Sequence, residues 1–168
     1  MAHWNQRTVA KRVSCTGVGL HSGKPATLTL APAPADAGVS FVRMDLGVEI
    51  PAKNEFVADT TLSTNLALGK ARVHTVEHVM AALRGMGIDN CRVEVDGPEI
   101  PILDGSAAPF VCLVREAGVK EQRAGKRWLI MEQAVEIRDG DKLARLEPSD
   151  AFSVEFTADF DHPLITNQ

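Results

Sequence analysis

Through the early part of the chain, apolar and polar residues alternate in short runs, the spacing of strands and turns rather than of helices. Residues 7–15 place Val9, Lys11, Val13 and Cys15 in rough alternation, and Gly17-Val18-Gly19 breaks the run. Residues 27–30 alternate Thr and Leu, a half-buried strand that stops at Pro32. Residues 39–43 and 48–52 read as weaker strands, with Pro34 and Gly38 marking the turn before the first. Helical spacing first appears at residues 74–85, where Val76, Val79, Met80 and Leu83 form one stripe and Gly85 and Gly87 supply a stop. A strand at 91–95 puts Cys91, Val93 and Val95 on one face, and a proline-punctuated stretch follows. Ser106 then caps a second helix to Ala117, with Pro109 in its first turn, Phe110, Leu113, Val114 and Ala117 on its buried face, and Gly118 at its end.

Residues 120–126 are polar and contain glycine, the composition of a linker. Strand patterns resume at 128–138, 142–146 and 153–160, with Asp139-Gly140 as a hairpin signal between the first two. The expected fold class is therefore α+β. A two-layer sheet-and-helix domain occupies residues 1–124, and residues 125–168 begin a second domain whose sheet no helix of that stretch covers.

Composition narrows the partners. Of 168 residues, 45% are hydrophobic and 24% charged, enough for a real core. A formal charge of −4 leaves no broadly basic face, so nucleic acid is not an expected partner. The longest apolar run, residues 107–114, is far short of a membrane span, and the opening residues lack the apolar core of a signal peptide. Cys15, Cys91 and Cys112 are too widely spaced for a CxxC metal site and too few for a disulfide framework. A cytoplasmic protein is expected.

The most informative string is His74-Thr75-Val76-Glu77-His78. On a helix, His74 and His78 stack four apart on the face opposite the buried stripe, with Glu77 beside them. Read literally, H-x-x-E-H offers two zinc ligands and a carboxylate that activates water. Read plainly, it is two histidines on a solvent face, and the string alone does not decide. The Gly-rich segment at 17–25 is no phosphate loop: Val18 stands where its first glycine belongs, and Pro25 follows Lys24. Ser106 lacks a nucleophile elbow and reads as a cap. Phe160-Asp161-His162-Pro163 offers a candidate ligand rim at a strand end.

Taken in order, GVGLHSGKPATLTLAPAPADAGV, ADTTLSTNL, HTVEHVMAALRGMGIDN and GPEIPILDGSAAPF, followed by GDK and DFDHP, resemble the amino-terminal half of the UDP-3-O-acyl-N-acetylglucosamine deacetylases. These are zinc amidases of lipid A synthesis in Gram-negative bacteria. The resemblance implies two similar α+β domains facing each other across the active site, and a substrate that is a UDP-linked, 3-O-acylated N-acetylglucosamine. It implies that Glu77 is the general base and His78 a zinc ligand, and that His74 is not a ligand but lines or supports the site. By the same resemblance Leu62 and Ser63 belong to a loop beside the metal, where the family often carries cysteine at the Ser63 position. His21 lies near the site mouth. Lys142, Asp159 and Phe160 match positions at the UDP end, where an ammonium, an acid and an aromatic face suit that ligand. The family's other zinc ligands lie in an H-K-x-x-D motif that this sequence does not contain. The partner then required is the second half of the enzyme, and the present chain is expected to be inactive alone. Two alternatives stand beside this reading: a short, non-catalytic binding or scaffold paralogue, and a metallopeptidase using both His74 and His78.

Overall fold

The computed structural model describes residues 4–159. Its two compact units are Met1–Lys126 and Arg127–Gln168. Of the first unit's strands, eight precede the first helix: β1 Asn5–Val9, β2 Val13–Val18, β3 Pro25–Pro32, β4 Val39–Arg43, β5 Val48–Pro51, β6 Val57–Asp59, β7 Asn65–Leu68 and β8 Ala71–Val73. Helix α1 (Glu77–Gly85), strand β9 (Cys91–Val95), helix α2 (Ala108–Ala117) and strand β10 (Val119–Gly125) complete it. The expected α+β class is what the structure shows.

A five-stranded sheet in the order β2-β3-β9-β4-β5 forms the floor, antiparallel throughout except where β4 runs parallel to β9. Its register sorts the side chains cleanly. Val13 faces Leu30, Leu30 faces Val93, Val93 faces Phe41 and Phe41 faces Ile50. That row, with Leu28 and Val95, packs in one core cluster with Val79, Ala82 and Leu83 of α1 and Phe110, Leu113 and Val114 of α2. On the opposite face the same pairing aligns Ser14 with Thr29 and Thr29 with Glu94. The Ser14 and Thr29 hydroxyls lie 2.8 Å apart, and Arg12 clamps Glu94 with both terminal guanidinium nitrogens. One apolar face under helices and one polar face make the two-layer domain.

Helix α1 stops in a Schellman turn, where Ile88 N–H donates to the Leu83 carbonyl and Gly87 N–H to the Arg84 carbonyl, with Gly87 at φ 68°. Helix α2 buries the four residues its pattern marks and ends at Gly118, φ 71°.

Several boundaries differ from the sequence reading. The alternation at 7–15 is two strands in two sheets, because β1 pairs with β10 and β2 with β3. Helix α1 begins at Glu77, not at residue 74. The supposed linker at 120–126 is mostly strand β10: its backbone pairs with β1 while Gln122 bonds the Ala33 carbonyl and Asn90, so polarity there marks an edge and not a break. Three short strands, β6 to β8, form a sheet of their own that periodicity did not mark.

The second unit holds one hairpin among its described residues, β11 (Val135–Asp139) with β12 (Lys142–Leu146). The hairpin falls where the Asp-Gly signal marks one, but its two-residue turn is Gly140-Asp141, with Gly140 at φ 60° and Asp139 still paired with Lys142 in the ladder. Val135, Ile137, Ala144 and Leu146 share one face of it, all exposed. Residues 128–134 and 153–159 join no ladder, since alternation makes a strand only where a neighbour takes its backbone bonds. No helix among the described residues is long and apolar enough to cross a membrane.

Candidate active site

The turn between β2 and β3, the loop between β6 and β7, and the residue after β8 meet around an open cleft of about 380 Å³. His21 comes from the first, Asp59, Thr61, Leu62 and Ser63 from the second with Asn65 at its end, and His74 is the third. Leu62 stands 79% exposed at the rim.

Each wall is built from local bonds. Asp59 Oδ1 accepts the Thr61 N–H at 3.1 Å and its hydroxyl at 2.7 Å, closing an Asx turn that holds the Asp59 carboxyl below its usual range. Buried Asn65 ties the loop down: its Oδ1 accepts from the Ser63 hydroxyl at 2.9 Å and from Thr75 N–H at 3.2 Å. On the other wall, Glu99 is buried and receives His21 N–H at 2.9 Å, Ser22 N–H at 2.8 Å and the Thr75 hydroxyl at 3.2 Å. Burial opposes its charge, but the bonds from His21, Ser22 and Thr75 outweigh that and hold the carboxyl low. Gly19 is required beneath this turn, because a Cβ there would sit 2.4 Å from both Glu99 Oε2 and Ser22 Oγ.

His74 is therefore not a helical residue. Its N–H donates to the Pro98 carbonyl at 2.8 Å and it forms a β-bridge with Glu99. Thr75 then turns the chain at φ 65°, a region that costs a β-branched residue on the order of 1–3 kcal/mol. His74 and His78 consequently do not stack on one helix face. The two-histidine metal arrangement loses its helical basis.

Glu77 and His78 occupy the first turn of α1. Glu77 Oε2 accepts Thr64 N–H at 2.9 Å, and Val76 N–H donates to the Thr64 carbonyl at 3.1 Å, so the cleft loop is pinned to the helix start. Glu77 Oε1 lies 3.9 Å from His78 Nε2, beyond hydrogen-bond reach, with the side chains 37% and 25% exposed. Asp104 approaches from the loop before α2. Its carboxyl is held low first by Ser106 N–H, then by the Ser106 hydroxyl, with a smaller electrostatic contribution from His78. The Ser106 hydroxyl also accepts Ala108 N–H at 3.1 Å, but the N-cap residue itself is Ala107, one residue later than the sequence reading places it.

The cleft thus gathers His21, Leu62, Ser63 and His74. Glu77 and His78 do not line it; Glu77 adjoins its loop through Thr64. Lys142 and Asp159 are exposed residues of the second unit, and Phe160, like His162, lies outside the described residues. Asn65, Thr75 and Glu99 were not marked by the sequence as site residues. The one signal for Glu99 is an acid set between Pro98 and Ile100-Pro101, a place where a carboxylate needs a buried partner. As a metal centre, the described residues are incomplete: no group of three or more His, Cys, Asp or Glu side chains among them can hold an ion. An accessible imidazole beside a carboxylate still suits one ligand and one base.

Comparison with known proteins adds the family dimension. The sequence profile of LpxC, UDP-3-O-acyl N-acetylglycosamine deacetylase, matches residues 6–168. A UDP-3-O-acyl-N-acetylglucosamine deacetylase of Anaeromyxobacter sp. (strain Fw109-5) is 79% identical over the whole of this chain and 55% of its own length. That of Anaeromyxobacter dehalogenans is 82% identical over the whole chain and 54% of its length, and that of Myxococcus xanthus 57% identical over 98% of the chain and 53% of its length. The chain spans about half the length of the curated relatives it matches.

Proposed function

The chain belongs to the UDP-3-O-acyl N-acetylglycosamine deacetylase family, and on that premise we propose that it supplies the base and one metal ligand of a zinc-dependent amidase. The reaction is hydrolysis of the N-acetyl amide of UDP-3-O-acyl-N-acetylglucosamine to acetate and a free amine, the committed step of lipid A synthesis, in the cytoplasm. The observation that carries the reading is the pairing at the start of α1: a carboxylate held by one oxygen on Thr64 N–H, next to the accessible His78 imidazole.

Zinc, when bound, lowers the pKa of a coordinated water toward neutrality and polarises a carbonyl. His78 is the ligand this chain offers; the rest of the set belongs to the half of the enzyme beyond this chain. The Thr64 bond fixes Glu77 Oε2 and leaves Oε1 to take the proton of the attacking water. His21, Ser63 and His74 line the cleft that receives the sugar, and Leu62 covers its rim. Lys142, Asp159 and Phe160 meet the UDP end.

The test uses the full-length protein. Glu77→Gln lowers kcat/KM by about 10²–10⁴-fold with metal content retained, whereas His78→Ala loses metal. Activity of Glu77→Gln within threefold of the native protein overturns the assignment of the base.

A further inference from the structure

The segment between the cleft and the helix contains a strained residue that the reaction itself does not use. Thr75 is 1% exposed and lies at φ 65°, where glycine would fit without penalty and a β-branched side chain is an outlier. Such strain persists only where the surroundings over-determine it. Two buried groups do so here: Asn65 Oδ1 takes the Thr75 N–H at 3.2 Å, and Glu99 Oε1 takes its hydroxyl at 3.2 Å. A glycine would remove the strain and forfeit the second bond. The sequence carries a hydroxyl at this position at a conformational cost, and the hydroxyl's partner is a carboxylate.

The clamp joins the three segments that line the cleft. Asn65 also holds Ser63, and Glu99 also holds the His21 turn. The residue before Thr75 is the cleft's His74, and the helix opens two residues later with Glu77 and His78. The direction in which the backbone leaves Thr75 therefore decides where α1 starts and whether the Thr64 N–H meets Glu77 Oε2.

We propose that Thr75 is a positioning residue: clamped in a left-handed conformation between Asn65 and Glu99, it sets the placement of Glu77 and His78 on one side and of His74 on the other. Its kinetic consequence rests on the amidase reading; its structural consequence does not.

The test compares Thr75→Val, which keeps the branch and loses the hydroxyl, with Thr75→Ser, which keeps the hydroxyl, both in the full-length protein. Thr75→Val lowers kcat tenfold or more with KM within threefold, and Thr75→Ser recovers most of the loss. In parallel, amide exchange at Thr64 and Val76 accelerates at least tenfold in Thr75→Val, while core amides of β3 and β9 change by less than threefold. If Thr75→Val does not fold, Glu99→Gln weakens the same bond from its other end with size retained and gives the same local readout. Exchange at Thr64 and Val76 that moves no more than the core, or a serine variant as impaired as the valine, overturns the proposal. A native full-length protein that hydrolyses no N-acetyl amide overturns the amidase reading and leaves the exchange result to judge the clamp.

Discussion

Glu99 shows what a single buried charge does for this site. Three donors converge on its carboxylate and lower its protonation range against the pull of burial. A carboxyl whose folded pKa is depressed contributes stability that is complete above its ordinary range and is lost as pH falls through the folded value. Glu99→Gln, whose amide oxygen cannot serve all three donors, is expected to cost about 1.5–3 kcal/mol at pH 7. The difference from the native protein narrows as pH falls below the ordinary carboxyl range, where the unfolded chain takes up its proton first, and is gone once pH has passed through the lower folded value. Denaturant unfolding at pH 7 and at successively lower pH measures it, and a difference that stays constant with pH contradicts the account. Charge at this residue was legible only as an acid in an apolar, proline-bounded stretch; its three partners come from segments far away in sequence, which no local pattern reports.

At the scale of elements, periodicity was a good guide where one face is buried and a poor one where backbone pairing alone makes the structure. The stripes of α2 and the alternation of β3 and β9 translate directly into core residues. Helix α1 starts three residues later than its stripe suggests, because Val76 is buried just ahead of the helix after a left-handed turn, and burial looks the same in either conformation. Strand β10 reads as linker because its contribution is polar: Gln122 donates to the Ala33 carbonyl at 2.9 Å and accepts from Asn90 at 2.7 Å. Gln122→Ala leaves the buried Asn90 amide short of a partner and is expected to cost about 1–3 kcal/mol. It also speeds amide exchange across β1 and β10. Amides at 119–125 that exchange at unstructured rates in the native protein would restore the linker reading.

At the scale of the molecule, a first unit with a finished core presents a cleft and, beside its loop, a carboxylate next to an imidazole, while the second unit's hairpin shows an exposed apolar face. The proposed base and ligand, Glu77 and His78, come from the resemblance of the TVEH string, and their physical setting came only with the fold. Residues 1–124 as one α+β domain and 125–168 as the beginning of another remain the proposed organisation, with the second half of the enzyme completing both the sheet and the metal site. The central claim is that this chain is the Glu77–His78 portion of an amidase. Acetate release from UDP-3-O-acyl-N-acetylglucosamine tests it most directly, measured for the full-length protein and for residues 1–168 alone. The full-length protein is expected to release one acetate per amine formed, to stop when metal is chelated and to resume when zinc is restored, and residues 1–168 to release none. No acetate from the full-length protein, or equal release from residues 1–168, would contradict the account.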